Sequence, residues 1–201
     1  MARLLIWGQL LWRISRLDLQ LIPTHPDLSG GLGPIADAHV SLGPLSFALS
    51  AILVATFAEQ VMYGHRDVRD AVLPLAVIVV GSTCALVAPL LLFTPKLFEA
   101  KHRGVRDYGV LAASYTRAFD AKWVRRGPPE DEPLLGSADI QSLADLGNSF
   151  DVVQHMRFVP IAPNQLLLLA LAGLAPAAPL ILFVIPLDEL IIRGAQLIFP
   201  L

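Results

Sequence analysis

Three charge-free stretches constrain this chain more strongly than any motif in it. Residues 41–58, 71–95 and 158–187 contain no Asp, Glu, Lys or Arg. Each stretch reaches the roughly 18–20 residues that an α-helix needs to cross a hydrocarbon layer about 30 Å thick. Hydrophobic residues make up 55% of the 201 residues and charged residues 16%, whereas soluble domains carry about 25% charged residues. The sequence therefore predicts an all-α, polytopic helical membrane protein with at least three spanning helices.

Changes in composition divide the chain into four predicted segments. Residues 1–43 combine an interfacial amphipathic helix, or the end of a spanning helix that begins upstream, with a glycine-rich turn. Residues 44–94 are predicted to form a transmembrane helical hairpin, and residues 95–163 a helical loop domain. Residues 164–201 are predicted to form a third transmembrane helix, which ends near residue 185, and a surface tail.

Helix-capping residues refine the prediction for the loop domain. Ser137 is a suitable N-cap for a short helix that ends near Gly147, and Asn148 or Ser149 could cap a second helix to about residue 158. Within the hairpin, the two spanning helices are expected at about residues 44–62 and 71–94.

The distribution of basic residues predicts an orientation. Twelve Lys and Arg residues precede the first spanning helix or lie between Pro95 and Pro163, and three lie on the opposite side. Cytoplasmic loops of membrane proteins are enriched in Lys and Arg. We therefore expect the 95–163 loop in the cytoplasm and the C-terminus in the periplasm of a bacterial inner membrane. Four basic residues near the second span are predicted to contact anionic lipid headgroups: Lys96, Lys101, Arg103 and Arg106. A net charge of −2 argues against nucleic-acid binding.

Two groups of His and Asp residues are candidates for ligand or metal binding. His25, Asp27, Asp37 and His39 lie within 15 residues, and all four are plausible metal ligands. A structural turn explains the same stretch, because Pro26-Asp27 and the following glycines suit tight backbone geometry. Asp151 and His155 are four residues apart, so a helix would place them on one face, either as a functional pair or as an ordinary surface pair.

Few polar side chains lie in the predicted spanning helices. Five are candidates for a pore or an interface: Ser46, Ser50, Glu59, Ser82 and Thr83. Glu59 lies about one turn from the end of its helix. It is therefore either an interfacial residue that reaches water or a pore or proton-relay residue inside the membrane.

Four segments carry a resemblance to a known family. They are residues 16–19 (RLDL), 24–33 (THPDLSGGLG), 93–97 (FTPKL) and 134–148 (LLGSADIQSLADLGN). Together they resemble a family of uncharacterised bacterial inner-membrane proteins, whose members have further hydrophobic sequence before the RLDL segment. The family has no assigned activity, so the resemblance implies a membrane class and a bacterial source.

Three functions compete at this point. The leading hypothesis is a non-enzymatic, homo-oligomeric channel or permease-like pore, because three helices alone bury few of their small residues. The second is an accessory subunit of a larger membrane complex, because no polar pathway crosses the helices. The third is a metal-dependent membrane-surface enzyme that uses His25, Asp27 and His39. No catalytic signature or cofactor motif supports an enzyme directly.

Overall fold

The computed structural model describes residues 2–63, 68–127, 133 and 136–179. Within these ranges all regular structure is helical, which confirms the all-α prediction. The α-helices are α1 (Ala2–Ser15), α2 (Gly33–Val40), α3 (Gly43–Tyr63), α4 (Val72–Val87), α5 (Thr94–Phe119), α6 (Ala138–His155) and α7 (Pro163–Leu174). Short 3₁₀ segments cover Val68–Ala71, Ala88–Phe93 and Ala175–Ala177, and Asp120–Arg125 is a π-helical turn.

The chain forms two compact units. The first, here called the polar unit, consists of Met1–Ala36 and Pro89–Ile161. The second, the apolar unit, consists of Asp37–Ala88 and Ala162–Leu201. Each unit is therefore built from two separated parts of the chain.

The polar unit has a hydrophobic core to which helices and connecting segments both contribute. Eight residues form this core: Leu11, Leu21, Leu32, Leu90, Phe93, Leu97, Ala100 and Met156. Leu11 comes from the predicted amphipathic helix, which the structure places at α1, and Leu97 and Ala100 lie on one face of α5. Burial of such side chains stabilises a fold by roughly 1.5–3 kcal/mol for each large one.

Helices α5 and α6 pack against each other in the polar unit. Ser137 caps α6, since its side chain accepts a hydrogen bond from the Asp139 amide, as predicted. The predicted break near Gly147 is wrong, because α6 runs without interruption to His155. Glycine costs a helix about 1 kcal/mol, and the packing of α6 against α5, which includes Phe150 against Gly109, offsets this cost.

The apolar unit contains α3, α4 and α7 and, from Asp37 onward, the second half of α2. Helix α3 packs against both α4 and α7. Helix α3 starts and ends within one residue of the predicted first span. Helix α4 ends at Val87, earlier than predicted, and the 3₁₀ segment Ala88–Phe93 follows. Pro89 explains this change, because proline has no amide hydrogen for the α-helical bond. The predicted residues 180–185 of the third span and the predicted surface tail lie outside the described residues.

Two of the described segments, Gly33–Tyr63 and Arg69–Arg125, contain helices long and apolar enough to cross a membrane. Pro163–Ala177 is apolar but shorter. Only 17% and 22% of the most apolar stretch of each long segment is buried. Large apolar side chains such as Ile52, Leu73 and Val80 are mostly exposed instead. The apolar character of these helices is thus directed outward as well as inward.

Candidate functional site

The predicted turn around Asp27 is a folded, hydrogen-bonded structure that connects α1 to α2. The Asp27 carboxylate accepts hydrogen bonds from the amides of Ser29 (2.8 Å), Gly31 (3.1 Å) and Gly33 (2.8 Å). Gly30 and Gly31 have positive φ angles of 66° and 97°, which glycine adopts without steric cost. Asp27 therefore organises the turn through its own side chain.

The electrostatics of Asp27 follow from these contacts. Partial burial alone would raise its pKa, but the amide hydrogen bonds from Ser29, Gly33 and Gly31 outweigh burial and lower the pKa of Asp27 below its ordinary value. His25 Nδ1 lies 2.8 Å from a carboxylate oxygen and contributes to the same lowering. The carboxylate is thus ionised and already well supplied with donors.

Arg157 ties the end of α6 to this turn, which sequence reasoning did not detect. Its guanidinium donates to the Asp27 carbonyl (2.5 Å) and the Ser29 hydroxyl (3.2 Å), and its amide donates to the Leu28 carbonyl (2.7 Å). These partners are about 130 residues away in sequence, so no local pattern indicates the contact. The Asp27 turn is therefore a structural junction of the polar unit.

The other two residues of the predicted ligand set, Asp37 and His39, belong to the apolar unit. Asp37 accepts a hydrogen bond from Gln165 Nε2 (2.6 Å), and the side-chain oxygen Oε1 of Gln165 accepts one from the Ala162 backbone amide (2.7 Å). The buried His39 ring places Nε2 against the Leu86 carbonyl, which requires Nε2 to carry a proton. Among the described residues, no three His, Cys, Asp or Glu side chains are arranged to hold a metal ion.

Asp151 and His155 form an exposed pair on α6. His155 Nδ1 lies 3.2 Å from the Asp151 carboxylate, and both side chains are about two-thirds exposed. The same ring nitrogen also lies 2.9 Å from the Asp151 carbonyl. This geometry is that of an ordinary helix surface pair.

The hydroxyl groups predicted for a pore lie inside the packing of the apolar unit. The Ser46 and Ser82 hydroxyls are 2.9 Å apart and connect α3 to α4, and Ser82 also donates to the Val79 carbonyl. Ser50 and Thr83 are buried, and neither hydroxyl has a hydrogen-bond partner in the described part of the chain. Glu59 is exposed near the end of α3.

Close helix approach accompanies these hydroxyls. A Cβ atom added at Gly173 of α7 would lie 2.8 Å from Ser46 Oγ and 3.4 Å from both Val79 methyl groups. At Gly43 of α3, an added Cβ would contact Ala172 at 3.5 Å. Small residues thus allow α7 to pack closely against α3.

The four predicted headgroup-contacting residues occupy different environments. Lys101 donates to the Met156 carbonyl (2.9 Å) and lies over the Phe158 ring, so it serves the polar unit internally. Arg106 is exposed on α5. Lys96 and Arg103 line a cavity of about 190 Å³, together with Asp18 and Glu99, which sequence reasoning did not select.

A second polar cluster joins the start of α6 to the end of α5. Asp139 accepts hydrogen bonds from Lys122 Nζ (2.6 Å) and Trp123 Nε1 (3.0 Å). Both bonds lower the pKa of Asp139, and the bond from Lys122 has the larger effect. The Tyr115 hydroxyl donates to the Asp139 carbonyl. The cluster fixes the helix ends and leaves a small adjacent cavity of about 100 Å³.

Comparisons with protein-family models, with curated proteins and with solved structures found no match to this chain. The geometry of the two units is therefore the basis for a functional assignment.

Proposed function

We propose that this chain is a non-enzymatic, polytopic protein of the bacterial inner membrane and acts as an accessory subunit of a larger membrane assembly. In this proposal the apolar unit spans the bilayer and the polar unit lies in the cytoplasm. The outward exposure of Ile52, Leu73 and Val80 supports the membrane location, because a soluble core helix of this composition would be largely buried.

The packing of Ser46 favours an accessory role over a pore. Its hydroxyl bonds to Ser82 of α4, and it lies against Gly173 of α7, so it sits between three helices of one chain. Interhelical hydrogen bonds and close approach at small residues stabilise helix association in lipid. Two of the four hydroxyls that would line a pore, those of Ser46 and Ser82, are therefore used to hold one chain together. The apolar outer faces of the chain remain available for other subunits.

The Asp27 turn disfavours the metal-enzyme alternative. Its carboxylate is surrounded by three backbone amides and by His25, and His39 uses Nε2 on a carbonyl of the apolar unit. A metal would have to displace these bonds before it could be coordinated.

Gentle extraction tests the accessory role. Affinity-tagged protein should be purified from native membranes in a mild detergent, with chemical crosslinking before lysis as a parallel arm. The proposal expects a stoichiometric partner in both arms. Recovery as a lone monomer in both arms would refute it, and recovery as a closed ring of identical chains would refute it in favour of the pore.

One observation favours the pore as a second candidate: among the described residues, the buried hydroxyls of Ser50 and Thr83 have no hydrogen-bond partner. A buried hydroxyl normally finds a partner, and water in a conducting path would supply one. Ion flux in proteoliposomes tests this candidate. Flux that falls in Thr83→Val, with the exposed Thr56→Val as a matched control, would support a pore, and absence of flux from the wild-type protein would exclude it.

A further inference from the structure

The cavity between the segment that follows α1 and the first turns of α5 contains charges of both signs. Asp18 comes from the segment after α1, whereas Lys96, Glu99 and Arg103 come from α5. The α5 residues are spaced by three and four positions, so they share one face of that helix. The leucine side chains of Leu19 and Leu21 complete the wall.

These charges do not neutralise one another within the chain. In the part of the chain that the structure describes, Asp18, Glu99 and Arg103 form neither an ion pair nor a side-chain hydrogen bond. The Lys96 ammonium donates to the Leu17 carbonyl, and an ammonium group carries two further N–H donors. The cavity thus presents two cations and two carboxylates that a ligand can reach.

We infer that this cavity binds a phosphoethanolamine headgroup, the zwitterionic headgroup of a phospholipid. Its phosphate would lie near Lys96 and Arg103, and its primary ammonium near Asp18 and Glu99. A volume of about 190 Å³ is below the 300–1,000 Å³ typical of sites for drug-sized molecules, so a headgroup suits it better than a large cofactor. An anionic headgroup without an ammonium would leave both carboxylates without a counter-charge.

Two observations favour a lipid over free phosphoethanolamine, and the choice rests on the proposed membrane location. Lys96 follows immediately after the charge-free run that ends at Pro95. Leu17, next to Asp18, is a large apolar residue that is 58% exposed. Exposed apolar residues beside a headgroup site would rest on the acyl chains of the bound lipid.

Lipid retention in native mass spectrometry tests the inference. The detergent-purified full chain is mixed with equal amounts of phosphatidylethanolamine, phosphatidylcholine and phosphatidylglycerol. The inference expects one preferentially retained phosphatidylethanolamine, because a primary ammonium donates hydrogen bonds that a quaternary choline cannot. Equal retention of the three lipids would overturn the headgroup site.

Charge-changing variants separate this site from general attraction to the membrane surface. Asp18→Asn combined with Glu99→Gln should lower phosphatidylethanolamine retention roughly tenfold, equivalent to about 1.4 kcal/mol, and shift the preference to phosphatidylglycerol. Arg103→Gln should lower retention of both phospholipids. The matched controls are Asp107→Asn and Arg117→Gln, which lie exposed on α5 outside the cavity and should leave the preference unchanged.

A third arm distinguishes the source of the headgroup. Soluble phosphoethanolamine should compete with the lipid only weakly, since it lacks acyl chains. Competition at concentrations equal to those of the lipid would overturn the lipid assignment. A chain that stays in solution without detergent would refute the membrane location itself, whereas loss of headgroup preference in a detergent-dependent protein would refute only the cavity's role.

Discussion

The polar and apolar units hold their internal polar groups in different ways. The polar unit uses ionised side chains, since the Asp27 carboxylate accepts from three backbone amides and the Arg157 guanidinium donates to the Asp27 carbonyl and the Ser29 hydroxyl. The apolar unit uses neutral hydroxyl groups in its interior, since Ser46 pairs with Ser82. Among its described residues the other buried polar side chains are His39, Ser50 and Thr83.

This difference matches two different surroundings. An ion is costly to remove from water, so a unit that relies on ionised side chains is suited to an aqueous boundary. A unit held by hydroxyls, glycine and outward apolar side chains is suited to lipid, where charged groups are rare. Small substitutions in each unit, each with a control variant, test this difference.

The largest effect is expected from Asp27→Ala. The change leaves the amides of Ser29, Gly31 and Gly33 without their acceptor, and buried unsatisfied donors cost about 1–3 kcal/mol each, less where they are partly exposed. We expect a loss of about 3 kcal/mol in the free energy of unfolding, measured by denaturant titration in mild detergent. Asp27→Asn, which keeps one oxygen acceptor, should lose less.

The exposed Asp151→Ala serves as the control for this change and should alter stability by less than about 0.5 kcal/mol. Equal effects of Asp27→Ala and Asp151→Ala would show that the turn does not organise the polar unit.

Gly104→Ala should be the next most damaging change. An added Cβ would lie 2.5 Å from Cβ of Pro23 and 3.0 Å from a Val153 methyl group, and the proline ring cannot rotate away. Overpacking of this kind costs about 1–3 kcal/mol, and we expect about 2. Gly147→Ala on α6 is the matched control, because nothing lies within 4 Å of its added Cβ. The control should be neutral or stabilising, and a similar loss in both variants would contradict the described packing.

Gly173→Ala tests close helix packing in the apolar unit in the same way. The added Cβ would collide with Ser46 Oγ, so we expect a loss of about 1–2 kcal/mol in thermal unfolding in detergent. Gly81→Ala, with open space around its Cβ, is the control. The double variant Gly173→Ala with Ser46→Ala should recover part of the loss, because it removes the colliding oxygen. Additive losses would indicate that the two residues do not meet.

The smallest effect concerns pH. The pKa of Asp27 is lower in the folded protein than the ordinary value of 3.8, so its ionised form stabilises the fold. That contribution is complete well above pH 3.8 and disappears as the pH falls through the lowered folded-state pKa. Unfolding curves between pH 6 and pH 2 should show this loss in the wild-type protein. The Asp27→Asn variant should lack this pH-dependent loss of stability. An identical pH profile in both proteins would show that ionised Asp27 does not stabilise the fold.

Local patterns predicted much of the fold. The charge-free run located α3 to within one residue, and Ser137 was correctly identified as a helix cap. The sequence also indicated a turn at Asp27, because aspartate and glycine favour that geometry locally. Helix α2 was missed, although Pro34 near its start suits the first turn of a helix.

Local sequence patterns could not predict the contacts between distant segments of the chain. Arg157 reaches the Asp27 turn from about 130 positions away, and Asp18 reaches the α5 cavity from nearly 80. The continuity of α6 through Gly147 likewise depends on packing against α5 rather than on helix propensity. The candidate sites therefore emerged only once the two parts of each unit were brought together.

Labelling of Cys84 tests most directly whether the apolar unit lies in lipid. Cys84 is the single cysteine of the chain, and its side chain is exposed on α4. A charged sulfonated maleimide needs water and a thiolate to react. The reference is Cys84→Ser combined with Asp107→Cys, which moves the thiol to an exposed position on α5. In opened membrane vesicles we expect rapid labelling of the reference and protection of Cys84 until detergent denaturation. Labelling of Cys84 at the rate of the reference would contradict this expectation.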